Sequence, residues 1–339
     1  MPAADLLTPD LVPYLAAGIV VLVLLVAQGR AAAKPALVGK VSSVVAYPLK
    51  SGAGVPLPAA TLLRTGLRHD RRWMVLKRDA DSGLNFMVTQ RTYPKMALVA
   101  PEFVGDADAD GTGLALTAPG MPRLAVPVAE DGAVLSVDVW DSETRGVDQG
   151  DAAAAWFAEF LAEPTVRLVR FDGSFDRPCD AKYASDAGAL FADGFPLLLA
   201  SAASLGAVNA RLDGDVTMRR FRPNIVVDGC EAFAEDAWGD VAVGPTARLK
   251  CVKPCTRCTM PSVDQTKGAV EKAIGGGGVA GALAAFRSGK ALRFAPPGGP
   301  ASKWAAEVFF GVNAVAEQVG AEGARIAVGD IVVAARRRR

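Results

Sequence analysis

The chain has 339 residues, of which 51% are hydrophobic, and 37 basic against 36 acidic side chains leave a formal net charge of +1. This composition excludes gross disorder and argues against a general nucleic-acid binder, which carries a basic excess. Five cysteines are an odd number for a disulfide framework, and the single histidine, His69, excludes two- and three-histidine metal sites.

Leu11 to Ala27 reads LVPYLAAGIVVLVLLVA and carries no charge. A bilayer-crossing helix needs roughly 20 mainly apolar residues, so the run is short but sufficient with tilt or local thinning. Asp5 and Asp10 precede it, whereas Arg30, Lys34 and Lys40 follow it. Positive charge on that side leaves the body of the chain in the cytosol. The expectation is a transmembrane signal-anchor over 11–28. A cleaved secretory signal is the competing reading, but the usual positive n-region is missing.

From Val38 the texture changes to short runs of β-branched residues ending in turn formers. VGKVSSVVAYPL, RRWMVLKRD, FMVTQRTYPKMALVAP, LALTAPG, RLAVPV and VLSVDVW all read as strands. Such close spacing predicts a barrel or sandwich-like domain. Asp151 to Pro164 reads as a helix that Asp151 caps and Pro164 stops. FPLLLASAASLGAVNARLDG begins as a buried strand and continues as a helix capped by Ser201 or Ser204. RRFRPNIVVDG is a further strand, with Pro223 marking an edge or bulge. ARIAVGDIVVAA reads as strand, tight Gly-Asp turn and strand. Gly268 to Gly289 reads as a Gly/Ala-rich surface loop with a short helix; it lacks the Gly-Lys-Ser/Thr ending of a phosphate loop. The closing run 336–339 reads as a solvated basic tail, with contact to an anionic membrane surface as the alternative.

CVKPCTRCTMPSVD, at 251–264, holds Cys251, Cys255 and Cys258 among Lys253 and Arg257. A structural zinc site needs four ligands, and only His69, Cys179 and Cys230, none in a paired spacing, remain to complete this set. A redox pair at Cys255 and Cys258 would need a strand-to-helix junction in an α/β fold, whereas the surroundings are strand-rich. Cys251 and Cys255 as packed core thiols is the plain reading. A fourth reading makes one thiolate the protein ligand to a soft metal whose other ligands come from an organic cofactor. A phosphate-bearing cofactor would need anion donors. YPLKSGAGVPL supplies Lys50 and Ser51, LRHDRRWMV supplies Arg68, Arg71 and Arg72, and RRFRPNIVV supplies Arg222 and Asn224. Each cluster alone reads as surface charge at a strand end; together with the thiols they point to one site.

The stretches YPLKSGAGVPL, HDRRWMVL, MVTQRTYPKMALV, FADGFPLLLASAASL, RFRPNIVV, PCTRCTMPSVD and RIAVGDIVV, in this order, resemble the mitochondrial amidoxime-reducing component family. The resemblance runs from about Val41 to Val333. It implies an α+β, β-dominated fold: an N-terminal β-barrel-like domain over 38–165, then a MOSC β-barrel domain over 166–335, behind the membrane helix. It implies a molybdenum cofactor (Mo-molybdopterin) with Cys258 as metal ligand. Lys50, Ser51, Arg71, Arg222 and Asn224 would hold the pterin and phosphate, and Asp193 and Arg257 would lie beside the metal. The implied activity is reduction of N-hydroxylated compounds (amidoximes, N-hydroxyguanidines, hydroxylamines), with nitrite as a further substrate. Electrons would come from cytochrome b5 and NADH-cytochrome b5 reductase at a cytosol-facing, mitochondrial outer membrane. The resemblance also implies pyridoxal phosphate binding. The alternatives are a cofactor carrier or sulfur-relay protein using Cys258, and a zinc-stabilised scaffold. Gly52-Ala53-Gly54, Gly194 and Phe195, and the Gly/Ala loop depart from the family pattern.

Overall fold

The computed structural model describes residues 34–109, 111–271, 278–294 and 301–337. The expected anchor at 11–28, part of the Gly/Ala loop and the last two arginines lie outside the described residues. Among the described residues no helix is long and apolar enough to cross a membrane.

The fold is β-dominated with few helices, and its centre is a closed seven-stranded barrel. Its strands are β1 (Ala36–Ala46), β13 (Leu197–Ser201), β14 (Ile225–Asp228), β15 (Trp238–Val243), β16 (Ala247–Arg257), β19 (Val308–Ala316) and β21 (Ile331–Arg336). They run in the order β14-β13-β19-β16-β15-β21-β1, and β1 pairs with β14 to close the ring. Only the β13–β14 pair is parallel; Ala202–Asn209, helix α2, connects them on the outside. The short β2 (Val55–Leu57) adds to the far side of β1. Alternate residues fill the barrel: Val41, Leu199, Ile225, Val241, Leu249, Val312 and Val332 are all 1% exposed or less. Period-2 alternation across a closed sheet has this result, one face sealed inward and no hydrogen-bonding edge left open.

A second layer follows in sequence after β1. A five-stranded sheet runs β10 (Val134–Val139), β11 (Ser142–Asp148), β12 (Val166–Phe171), β5 (Trp73–Arg78) and β6 (Asn85–Met87). A three-stranded sheet joins β7 (Ala100–Val104), β8 (Gly113–Thr117) and β9 (Leu124–Val126). Helix α1 (Asp151–Leu161) packs Trp156, Phe157 and Phe160 into the core they share with Trp73, Leu114, Leu116 and Leu168. Two small sheets complete the β structure: β3 (Ala59–Leu63), β4 (Gly66–Leu67) and β20 (Ala324–Ala327), then β17 (Val263–Asp264) with β18 (Ala269–Val270).

Two local expectations change, and one is narrowed to a single residue. Asp151 is the first residue of α1, not its cap; Gly150 occupies the cap with φ 92°. The Asp151 carboxylate instead accepts from Arg167 at 2.7 Å. Ser201, not Ser204, caps α2, accepting from the Ala203 and Ser204 amides. The strands of ARIAVGDIVVAA do not form a hairpin: β20 pairs with β3, whereas β21 pairs with β1 and β15. The Gly-Asp turn therefore hands the chain from one sheet to another.

His69 is a core residue. Its ring packs 5.5 Å from that of Phe103 and 6.2 Å from that of Trp73, and Nε2 lies 2.8 Å from the Ala109 carbonyl oxygen. Burial, aided by Arg72 and Arg68, lowers its pKa from 6.5 to about 4. The unfolded chain therefore takes up a proton near pH 6.5 and the folded one only near 4, so this contribution is complete above 6.5 and is lost as pH falls from 6.5 to 4. Urea unfolding at pH 7 and pH 5 should show lower stability at pH 5, and His69→Phe should flatten that difference.

Candidate functional site

The chain builds its site at loops where strands of the barrel and of the five-stranded sheet start or stop. After β1 the backbone turns sharply at Leu49–Gly52, and the Gly52 amide donates back to the Leu49 carbonyl at 3.0 Å. Ser51 takes φ 66° in this turn. Arg71, with φ 46°, precedes β5, and Arg222, with φ 58°, precedes β14. Left-handed backbone at three non-glycine residues is uncommon, and strain of this kind gathers at functional sites.

These loops enclose one cleft, whose walls include Lys50, Ser51, Arg71, Asp193, Arg222, Asn224 and Arg257. Its cavity volume is about 110 Å³, below the roughly 300–1,000 Å³ of small-molecule pockets. A sizeable ligand would anchor its charged end here and extend outward.

Lys50 is 5% exposed. Its Nζ donates to Asp193 Oδ1 at 2.5 Å and to the Phe191 carbonyl at 2.7 Å. Burial lowers the Lys50 pKa, and Asp193 opposes that shift. Partial desolvation works against ionisation of Asp193, but the Lys50 charge and hydrogen bond, with Trp140 and Arg71, hold its carboxyl well below the usual range.

Asp70 is the second anion. It is 2% exposed and accepts from Arg71 Nη1 at 2.5 Å, Asn224 Nδ2 at 2.9 Å and the Tyr47 amide at 2.7 Å. Asn224 also accepts from Arg71 Nη1 at 3.2 Å and from the Leu198 amide at 3.1 Å. The guanidinium carbons of Arg71 and Arg222 lie 4.5 and 4.3 Å from the Tyr47 ring centroid. Arg222 also donates to the Gly52 carbonyl. Burial, then repulsion from Arg71, lowers the Arg222 pKa to about 10.

Arg177 clamps the Asp193 loop. Its guanidinium is 4% exposed and donates to the carbonyls of Leu190 at 2.7 Å, Ala192 at 2.6 Å and Asp193 at 3.4 Å, and to Ser142 Oγ at 3.2 Å. It ties the loop ahead of β13 to the β10–β11 hairpin.

The three clustered cysteines occupy three environments. Cys251 points into the barrel core, and burial pushes its pKa up to about 12. Cys255 lines the cleft, its Sγ accepting from Arg257 Nη1 at 3.2 Å. Cys258 is exposed just past β16, with the Met260 amide 3.5 Å from its Sγ. It is not a wall residue of the cleft, although Arg257 and Met260 on either side of it are. Among the described residues no group of three His, Cys, Asp or Glu side chains converges as a metal site. The thiols are thus not gathered for zinc.

The chain matches the MOSC N-terminal beta barrel domain over residues 38–164 and the MOSC domain over residues 186–333. A Xenopus laevis protein called mitochondrial amidoxime-reducing component 1 is 34% identical over 247 residues, covering 69% of this chain and 68% of its own. The chain belongs to the mitochondrial amidoxime-reducing component family. A Bos taurus member, mitochondrial amidoxime reducing component 2, is 35% identical over 245 residues, covering 69% of each chain. A Danio rerio member, component 1, is 35% identical over 241 residues, covering 68% of this chain and 70% of its own.

Of the residues that the sequence singles out, Lys50, Ser51, Arg71, Asp193, Arg222, Asn224 and Arg257 line one cleft, whereas Cys258, Arg68 and Arg72 are not among its wall residues. Asp70, Tyr47, Arg177 and Trp140 were missed. Asp70 sits inside HDRR and Tyr47 inside YPLK, so adjacency was an available signal; Arg177 and Trp140 gave none. Removing the Arg177 fork leaves several buried carbonyls unpaired, at about 1–3 kcal/mol for each group left unsatisfied. Arg177→Met should lower the unfolding free energy by at least that amount in denaturant titration, and an unchanged midpoint would contradict the clamp.

Proposed function

We propose that this chain reduces N-hydroxylated compounds at a molybdenum cofactor held in the cleft. The observation that carries this reading is unspent donor capacity among surplus positive charge. Lys50, Arg71, Arg222 and Arg257 face the carboxylates of Asp70 and Asp193. Ser51 Oγ and Arg257 Nε are buried there with no hydrogen-bond partner among the described residues. Buried polar atoms and charges need partners, and a phosphate-bearing ligand supplies them. The donor set therefore fits molybdopterin, with Lys50, Ser51, Arg71, Arg222 and Asn224 as its holders and Cys258 as metal ligand. A pyridoxal phosphate would need a free amine; Lys50 Nζ is instead held by Asp193 and the Phe191 carbonyl, so the cleft lends pyridoxal phosphate binding no support.

The bound cofactor supplies the two electrons that cleave the N–O bond. The net change is N–OH plus two electrons and two protons, giving N–H and water. The chain's own residues manage the protons and the charge. Asp193 stays ionised at neutral pH, so the proton of the pair rests on Lys50 Nζ. That proton passes through the exposed Asp193 carboxylate to the departing hydroxyl, making water, and the second proton reaches the nitrogen from solvent. Arg257, anchored by the Phe221 carbonyl at 2.8 Å, steadies negative charge. By family membership, electrons would arrive from cytochrome b5 and its NADH-dependent reductase. The run at 11–28 would hold the body on a mitochondrial membrane, facing the cytosol.

One observation favours a second reading, a cofactor carrier or sulfur relay: Cys258 is exposed, as a thiol that exchanges sulfur with a partner must be. Elemental analysis paired with a turnover assay separates the two. Wild-type protein should carry molybdenum and reduce an amidoxime. Cys258→Ala should lose both while its unfolding free energy, compared with cofactor-free wild type, moves by no more than about 0.5 kcal/mol, as expected of a surface substitution. Full turnover in Cys258→Ala would overturn the metal-ligand assignment. Molybdenum without turnover in the wild type, with a persulfide on Cys258, would establish the carrier.

A further inference from the structure

Trp140 sits where a tryptophan is costly. It is the first of two loop residues between β10 and β11, with Val139 paired to Ser142. Its φ is 57°, a left-handed conformation that glycine or asparagine adopts cheaply and a bulky residue does not. The side chain is not spent on the core, for Trp140 is 42% exposed. It lines the cleft beside Asp193, and its indole N–H acts as a donor that helps keep the Asp193 carboxylate ionised. The Arg91 guanidinium lies 4.1 Å from the ring centroid and holds the ring by a cation–π contact. An exposed indole so held, against an ion pair, offers a flat apolar surface within reach of the reacting group.

We propose that Trp140 is the specificity residue of this cleft: its ring packs the flat aromatic portion of an N-hydroxylated substrate. This rests on the function proposed above. Aromatic substrates gain from the stack; small aliphatic ones do not. An aromatic pair contributes about 0.5–1.5 kcal/mol beyond area burial, which is a preference of up to about tenfold.

The test uses the cofactor-loaded protein without an electron donor, so ligands bind and do not turn over. Calorimetric titration compares benzamidoxime with acetamidoxime on wild type, Trp140→Phe and Trp140→Ala. The wild type should bind benzamidoxime about tenfold more tightly. Trp140→Phe should keep most of that preference and Trp140→Ala should lose it. No preference in the wild type, or a preference intact in Trp140→Ala, overturns the assignment. Adding an electron donor then separates the two claims. Preference lost in Trp140→Ala without turnover in the wild type retains Trp140 and rejects the reductase. Turnover with an undisturbed preference does the reverse.

Discussion

The pairing of β1 with β14 is the contact on which the rest depends. Lys40 lies opposite Asp228, Val41 opposite Val227 and Val44 opposite Ile225. Without it the barrel would be an open sheet with two edges, and open edges invite pairing with other chains. The same contact sets the site. Strand β1 runs antiparallel to β14, so the end of β1 arrives at the start of β14 and Lys50–Ser51 meets Arg222–Asn224. Asn224 locks the junction, exchanging bonds with Val45: its carbonyl accepts from the Val45 amide at 2.8 Å and its Nδ2 donates to the Val45 carbonyl at 3.1 Å.

Closure gathers cations that repel one another. A buried unpaired charge costs several kcal/mol unless partners satisfy it. Asp70 meets part of this demand: it is sealed inside, bonded to Arg71, Asn224 and Tyr47 at once, and burial raises its own pKa against their pull. The Tyr47 ring meets another part, with Arg71 and Arg222 against it. Asp193 pairs with Lys50 and stays exposed to the cleft. What remains is a positive cleft with idle donors on Ser51 and Arg257. An anion bound there would relieve repulsion and stabilise the folded chain by mass action.

The cysteine run shows how a strand irregularity sorts identical side chains. Strand β16 follows β19 with two register shifts, between Cys251 and Lys253 and between Pro254 and Thr256. Each shift changes which side of the sheet the following residues face. Cys251 thus enters the core, Cys255 reaches the cleft and Cys258 emerges into solvent past the strand end. Pro254 sits between the two irregularities, where its missing N–H is tolerated. Three thiols within eight positions are thereby kept apart.

The sequence alone determined the strand-rich character of the chain, because β-branched runs broken by Gly and Pro have few other solutions, and it displayed the basic clusters YPLK, HDRR and RFRP. The motif order also marked the family. Local composition carries this information because strand propensity, turn chemistry and charge are properties of neighbouring residues. Tertiary structure decided what depends on partners far along the chain. The Lys50–Asp193 bond spans 143 positions and the Arg222–Gly52 bond 170. Arg177 looked like any surface arginine until its carbonyl partners were in place, and Trp140 looked like the end of a strand until its turn aimed it at Asp193. The strands of ARIAVGDIVVAA looked like a hairpin because the turn between them is local, whereas the sheets that claim them are not. Register and closure follow from burying one face of every strand at once, a condition that no window of sequence contains.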